Sequence, residues 1–169
     1  MINRRNEMSE NVRIRKNLFI FKAKRKNWKK LPKEKWWIEG AVLQSDNRAY
    51  IATSFVSGAE DEPLMVAAYE VIPETICQYT GLIDKNGTVI WENDILKYSY
   101  DYKGSIWLKG GEPVKYSIGA VFWQEWRGTW AVCGHGKSQM TNQDIYVYNR
   151  NPNRTEVIGN IFDNLDLLE

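Results

Sequence analysis

The chain has little of the chemistry that most metal sites and catalytic centres require. Its 169 residues include one histidine and two cysteines, Cys77 and Cys133. Two cysteines so far apart make no disulfide framework, and neither a CxxC pair nor a Cys/His cluster at zinc spacing is present. A single histidine excludes a histidine-rich metal site. Long hydrophobic runs are also missing. The longest near the N-terminus, Leu18 to Phe21, is shorter than the apolar part of a signal peptide and far too short to span a bilayer. There is no internal repeat and no low-complexity tract. These absences set the expectation of a soluble, cytoplasmic protein with reduced thiols and no metal, cofactor, small-molecule substrate or membrane partner.

What is abundant is aromatic. Eight Trp, nine Tyr and five Phe suit a pleated, half-buried surface. A domain of this length buries about 70% of the surface its open chain exposes, so a core forms without a metal or disulfide staple. The net charge of +2 conceals an asymmetry. Residues 1–37 carry thirteen Lys/Arg against three Glu, and residues 38–169 carry ten against eighteen acids. A basic arm on an acidic body has two readings. It seeks nucleic acid, where affinity is largely phosphate neutralisation, or it meets the acidic body of its own or another copy.

Hydrophobic patterning predicts about nine short strands and no long helix. Residues 1–17 are polar, charged and aperiodic, which reads as a disordered basic tail. Leu18–Lys24 is a first strand, with Lys22 and Lys24 alternating against Phe21 and Ala23 to leave one face wet. A basic loop, Lys26–Lys35, carries Pro32 and a half-exposed Trp28. Strands follow at Trp36–Leu43, with a bend at Gly40, and at Ala49–Val56. Leu64–Ile72 is compatible with helix or strand, and the Tyr69–Ile72 end entering Pro73 favours strand. Asn86-Gly87 between apolar runs signals a two-residue type I′ hairpin joining Ile76–Tyr79 to Val89–Trp91. Trp91–Tyr98 reads as a tight turn feeding a strand, with Asp94 accepting backbone N–H groups. Ser99–Gly111 is a loop or hairpin. Lys115–Trp123 and Gly128–Cys133 form another hairpin. Asp144–Tyr148 alternates as a strand, Glu156–Phe162 is the last strand, and Asp163 or Asn164 caps a final helical turn through Leu168. The count points to an all-β small barrel or roll.

Three segments of this chain resemble the YopX family of phage and prophage proteins. The first is Phe21-Lys22-Ala23-Lys24-Arg25 followed by Trp37-Ile38-Glu39-Gly40. The second is Ile72-Pro73-Glu74-Thr75-Ile76-Cys77-Gln78-Tyr79-Thr80-Gly81-Leu82, continuing through Asp84-Lys85-Asn86-Gly87 to Glu92-Asn93-Asp94-Ile95. The third is Glu156-Val157-Ile158-Gly159-Asn160-Ile161-Phe162-Asp163-Asn164. The resemblance implies a mostly β domain over residues 18–169. Its N-terminal strands occupy 18–76, and residues 77–169 are similar to an SH3-like barrel. It implies a phage or prophage origin in a bacterial host cell, and it carries no reaction and no catalytic residues. Three departures stand out. Asn93 stands where the family has Gly, a place that Asn fills because it tolerates φ > 0. Leu165 stands for a Pro, and the Lys26–Lys35 insertion is long and basic.

Candidate chemistry is sparse. Ala131–Ser138 fits a relaxed phosphate-loop pattern, with Gly134–Ser138 as its core. The apolar helix that should follow is missing, so nucleotide binding with turnover is a remote alternative. Cys133 and His135 resemble a nucleophile and base without a third orienting group. Glu60-Asp61-Glu62 reads as a solvated loop, and Glu92 with Asp94 as turn carboxylates. No catalytic residue is assigned, and the protein is expected not to be an enzyme. The basic arm is the stronger candidate. Lys22, Lys24, Arg25, Lys26, Lys29, Lys30, Lys33 and Lys35 interleave with Trp28, Trp36 and Trp37. Cations beside aromatic platforms are how single-strand binders work. Structural lysines over core tryptophans are the plainer reading. The expected function is a non-catalytic binding or assembly module that engages nucleic acid through this arm, or alternatively one that self-associates as a homo-oligomer.

Overall fold

The computed structural model describes residues 20–56, 65–99, 116–134, 144–150 and 153–169. Among the described residues it is mostly β, and the strand pairs with an assigned register are antiparallel. The chain divides into two compact units, the first ending at Tyr79 and the second beginning at Thr80. Among the described residues no helix is long and apolar enough to cross a membrane.

The first unit contains β1 (Phe21–Lys24), β2 (Trp37–Ser45), β3 (Arg48–Val56) and β4 (Met65–Val71), followed by the start of β5 (Cys77–Ile83). The strand order is β4-β3-β2-β1-β5. Alternation along β3 sends Ala49 and Ile51 inward, where they meet Ala23 and Val71 in a small core flanked by Phe21, Ile38, Val42 and Ile76. β2 pairs with β1 up to Gly40 and with β3 from Ala41 onward. A Cβ on Gly40 would lie 2.0 Å from the Ala52 carbonyl oxygen, so the handover between partners demands glycine. The expected ambiguity at Leu64–Ile72 resolves as strand, because β4 pairs with β3 along its length. Past β1 the chain curls back to β4. Arg25 bridges to Val71, Lys26 N–H donates to the Glu70 carbonyl (3.0 Å), and Ile72 N–H donates to the Lys24 carbonyl (2.9 Å).

The second unit holds the far end of β5, then β6 (Val89–Trp91), β7 (Asp94–Tyr98), β8 (Ser117–Gln124), β9 (Thr129–Cys133), a single helical turn α1 (Tyr146–Asn149) and β10 (Thr155–Asn160). Its sheet order is β10-β7-β8-β9. Ile90, Leu96, Tyr98, Val121, Trp130, Val132, Ile145 and Tyr148 form its core. Both sheets are open. Of the expected small barrel or roll, the mostly β character holds but a closed barrel is not formed: among the described residues β10 and β9 end the four-stranded sheet, and in the first unit Arg25 makes an isolated bridge to Val71.

Three local expectations are corrected. Asn86-Gly87 is not a type I′ pair, since only Gly87 has positive φ (+84°). Asp84 heads a three-residue loop instead: Gly87 N–H donates to the Asp84 carbonyl and Asp84 N–H donates to that of Thr88. This is the type I turn with a left-handed glycine that closes three-residue hairpins. Asp144–Tyr148 is not a strand. Asp144 makes one bridge to Ala131 and its Oδ1 then accepts the Tyr146 N–H at 2.8 Å, starting α1. Asn164 stands at the N-cap of the last helical turn, Leu165–Leu168, as expected, but its side chain makes no capping bond there. Its Oδ1 accepts instead from Asn160 N–H (3.3 Å). The expectations for residues 1–17, Glu60–Glu62, 100–111 and His135–Ser138 lie outside the described residues.

Candidate nucleic-acid interface

The basic segment after β1 is an ordered loop. Residues 25–36 are pinned at the base, where Arg25 N–H donates to the Trp36 carbonyl at 2.8 Å. Two single 3-10 turns, Trp28–Lys30 and Lys33–Lys35, fill its length. Pro32 suits the position just before the second turn, since its fixed φ (here −63°) matches extended entry backbone and it has no N–H to satisfy. The indole Nε1–H of Trp36 donates across the loop to the Leu31 carbonyl (2.9 Å). Close ends and self-packing side chains make this a compact surface loop of the kind that often carries function.

The tryptophans hold it from inside. Trp28 and Trp36 meet edge to face with centroids 4.6 Å apart. The Lys24 ammonium stands over both rings, at 4.1 Å and 4.9 Å, with Trp37 5.9 Å away. Lys24 is only 6% exposed. The expected wet face of β1 is therefore covered at this residue, because the loop folds its indoles over it. A cation over indole faces gains from their quadrupoles, and more so when desolvated.

The remaining basic residues sort by exposure. Lys22 is half-buried with its Nζ 5.4 Å from the Trp37 centroid. Arg25 lays its guanidinium over Tyr69 of β4 at 4.4 Å. Lys26, Lys29, Lys30, Lys33 and Lys35 are exposed. Lys26 pairs with Glu70, and Lys29 Nζ sits 5.7 Å from the Trp28 ring. The structure thus gathers Arg25, Lys26 and Lys30 at one cleft together with Asn27, Ala68, Tyr69 and Glu70. It turns Lys24 inward and leaves Trp28 half-exposed. Tyr69 and Glu70 were missed as site residues because they lie more than forty positions away along the chain. The only sequence signal was the chance that Leu64–Ile72 forms a strand, which gives no partner.

Elsewhere the candidate carboxylates serve the backbone. Asp94 is 2% exposed and its Oδ2 accepts the Trp91 N–H at 2.9 Å. Asp84 Oδ1 accepts from Asn86 and Thr88 (2.8 and 2.9 Å) and its Oδ2 from Val157 (2.9 Å). Burial would raise the Asp84 carboxyl, and the three N–H donors outweigh it to hold the group below the usual carboxylate range. Asp144 Oδ2 accepts from Thr129 Oγ1 (2.8 Å). Cys133 Sγ donates to the Gly134 carbonyl (3.3 Å). Among the described residues no group of three or more His, Cys, Asp or Glu is placed to hold a metal ion.

No curated protein matches the chain. Among solved structures it is similar to protein EF1440 from Enterococcus faecalis, known from a crystal structure. The identity is 27%, the match covers 90% of this chain and 99% of that one, and the TM-score is 0.52. The family described as YopX protein matches residues 21–169, which takes in the lysine loop and both compact units, and the chain belongs to that family.

Proposed function

We propose that this protein is a non-catalytic binding module that engages nucleic acid through the loop between β1 and β2. The observation that carries this is the loop itself: five exposed lysines, four of them on two 3-10 turns, held in place by a caged Lys24 rather than left on a free tail. Glu34 is the single acid of the loop. Fixed cations bind phosphates without the ordering cost a mobile basic tail incurs, and the phosphate term dominates nucleic-acid affinity. In this reading the second unit is an SH3-like scaffold, and the protein is of phage or prophage origin and works in the bacterial host. Family membership by itself names no function.

Titration of the whole chain with labelled oligonucleotides at several salt concentrations tests the proposal. Affinity should fall steeply with salt. Replacing Lys29, Lys30 and Lys33 by Ala together should flatten the log–log slope by about 2 on a single strand. Absence of binding at low salt, or a slope untouched by the triple change, would overturn it. Sedimentation run alongside separates the rival reading, in which the basic loop meets the acidic residues of a second copy. That reading requires a salt-sensitive oligomer without ligand.

A further inference from the structure

The cleft beside the lysine loop has more than charge. Arg25, Lys26, Asn27 and Lys30 stand along one wall and Ala68, Tyr69 and Glu70 along the other, around about 470 Å³. Pockets that hold small organic groups fall in this range. Tyr69 is 39% exposed, and its ring is held from one side by the Arg25 guanidinium at 4.4 Å. The Nε of that guanidinium is buried and has no hydrogen-bond partner among the described residues, an uncommon state for a buried donor. A braced aromatic ring, an unsatisfied cationic donor, an amide and two lysines complement one ligand class closely. A nucleotide offers a phosphate to the lysines and the flat face of a base to the ring.

We propose that this cleft seats one unpaired nucleotide, with its phosphate against Lys26 and Lys30 and its base against Tyr69, and that it makes the lysine loop selective for single strands over duplex. The inference rests on the nucleic-acid reading above. In a duplex each base is stacked on both faces, and exposing one costs unstacking energy. A single strand presents the face freely. Among the described residues Glu70 is the cleft's one carboxylate, and it is paired with Lys26. It opposes the phosphate, so neutralising it both frees Lys26 and removes a repulsion.

The test uses the full chain and three probes at one fixed salt concentration: a short oligothymidylate, a duplex of equal length, and inorganic polyphosphate. Fluorescence anisotropy reads the affinities. The single strand should bind about tenfold tighter than the other two. Tyr69→Ala should remove most of that advantage and leave duplex and polyphosphate binding unchanged, whereas Tyr69→Phe should retain it. Glu70→Gln should tighten all three. Circular dichroism and thermal melting confirm that each variant folds, and Tyr69→Leu, which keeps an apolar side chain and lacks the flat ring, is expected to lose the preference and carries the question if Tyr69→Ala does not fold. Equal binding of the three probes, or a Tyr69→Ala protein that still prefers the single strand, overturns the seat and leaves a charge-only interface standing. Loss of all polyanion binding overturns both readings. Tighter binding of an acidic polyglutamate peptide than of oligothymidylate overturns the nucleotide seat in favour of an acidic protein partner.

Discussion

The Lys24 ammonium stands 4.1 Å from the centroid of the Trp28 ring. Trp36 closes over the same charge at 4.9 Å. Within one basic segment the cations therefore divide their work. Lys24 organises the loop from beneath, and Lys26, Lys29, Lys30, Lys33 and Lys35 face solvent. Trp28, which in the sequence looks like a stacking platform, has its ring engaged by Lys24 and set edge-on to Trp36. The aromatic ring that shares a cleft with exposed Lys26 and Lys30 is that of Tyr69.

This division is testable through Lys24→Met, which keeps the length of the stem and removes the charge. A desolvated cation–aromatic contact is worth up to about 2 kcal/mol, so a loss of about 1–2 kcal/mol in urea unfolding is expected. Tryptophan fluorescence should change with it, since the indoles lose their cation. The salt dependence of nucleic-acid binding should stay as in the parent. A variant whose salt slope fell as much as that of a Lys29→Ala, Lys30→Ala double change would place Lys24 among the phosphate contacts instead.

The Asp84 carboxyl predicts an acid-sensitive limb of stability. Its folded pKa lies below the ordinary value, so the group binds protons less readily folded than unfolded. The resulting stabilisation is complete above the unfolded pKa of about 3.9. It is lost as pH falls through the lower folded pKa. Asp84→Asn should flatten that limb. It should also cost about 1–3 kcal/mol at neutral pH, because an amide cannot accept from Asn86, Thr88 and Val157 together and leaves a part-buried N–H without its partner. Urea midpoints measured from pH 3 to 7 for both proteins check this. Parallel curves for the two would sink it.

Asn93 takes φ +64°, in the left-handed region, and its backbone joins two elements. Its N–H donates to the Val121 carbonyl (2.8 Å) and its carbonyl accepts from Ile161 (3.0 Å). Asn93→Gly should be tolerated within about 0.5 kcal/mol, since glycine adopts that region without strain. Asn93→Val should cost about 1–3 kcal/mol, because a β-branched side chain there meets its own backbone. Thermal unfolding of the pair decides. Equal melting temperatures would mean that the turn relaxes and the positive φ is not required.

Much of the fold could be read from the residues, because the signals were local. Gly87 and Asn93 mark the turns where φ is positive, and Asp94 at its turn accepts a backbone N–H as its type suggests. The sequence patterns that identify the family prove to be bonded to one another: Asp84 to Val157, Lys85 to Glu156 at 2.7 Å, and Asn93 to Ile161. They build the second unit. The errors arose where two periods fit the same letters. Ile145 and Val147 alternate as in a strand, yet Ile145 and Tyr148, three apart, are the pair fully buried in the core, which is helical spacing. Asn86-Gly87 misled because the hydrogen bonds that fix the turn come from Asp84, outside the dipeptide. At the candidate site the lysines were legible as a cluster. Their separation into caged and exposed members was not, and neither was Tyr69, since both depend on the long-range meeting of β1 and β4.

Two glycines of the second unit are required for different reasons, and substitution by alanine separates them. At Gly119 an added Cβ would lie 2.4 Å from the Cys133 carbonyl oxygen and 2.5 Å from its carbon. These are backbone atoms of the paired strand, with no side chain to swing aside. Gly119→Ala must therefore push β8 and β9 apart where Ala120 faces Cys133, at a cost of about 3 kcal/mol. At Gly87 nothing lies within 4 Å of the added atom, and the cost comes only from φ +84°, about 1 kcal/mol. Hydrogen exchange should show the difference in kind. Gly119→Ala should deprotect amides along β8 and β9, and Gly87→Ala should act near the hairpin loop and leave those strands protected. A Gly119→Ala protein with parental protection in β9 would show that the two strands have room that the packing at Cys133 denies.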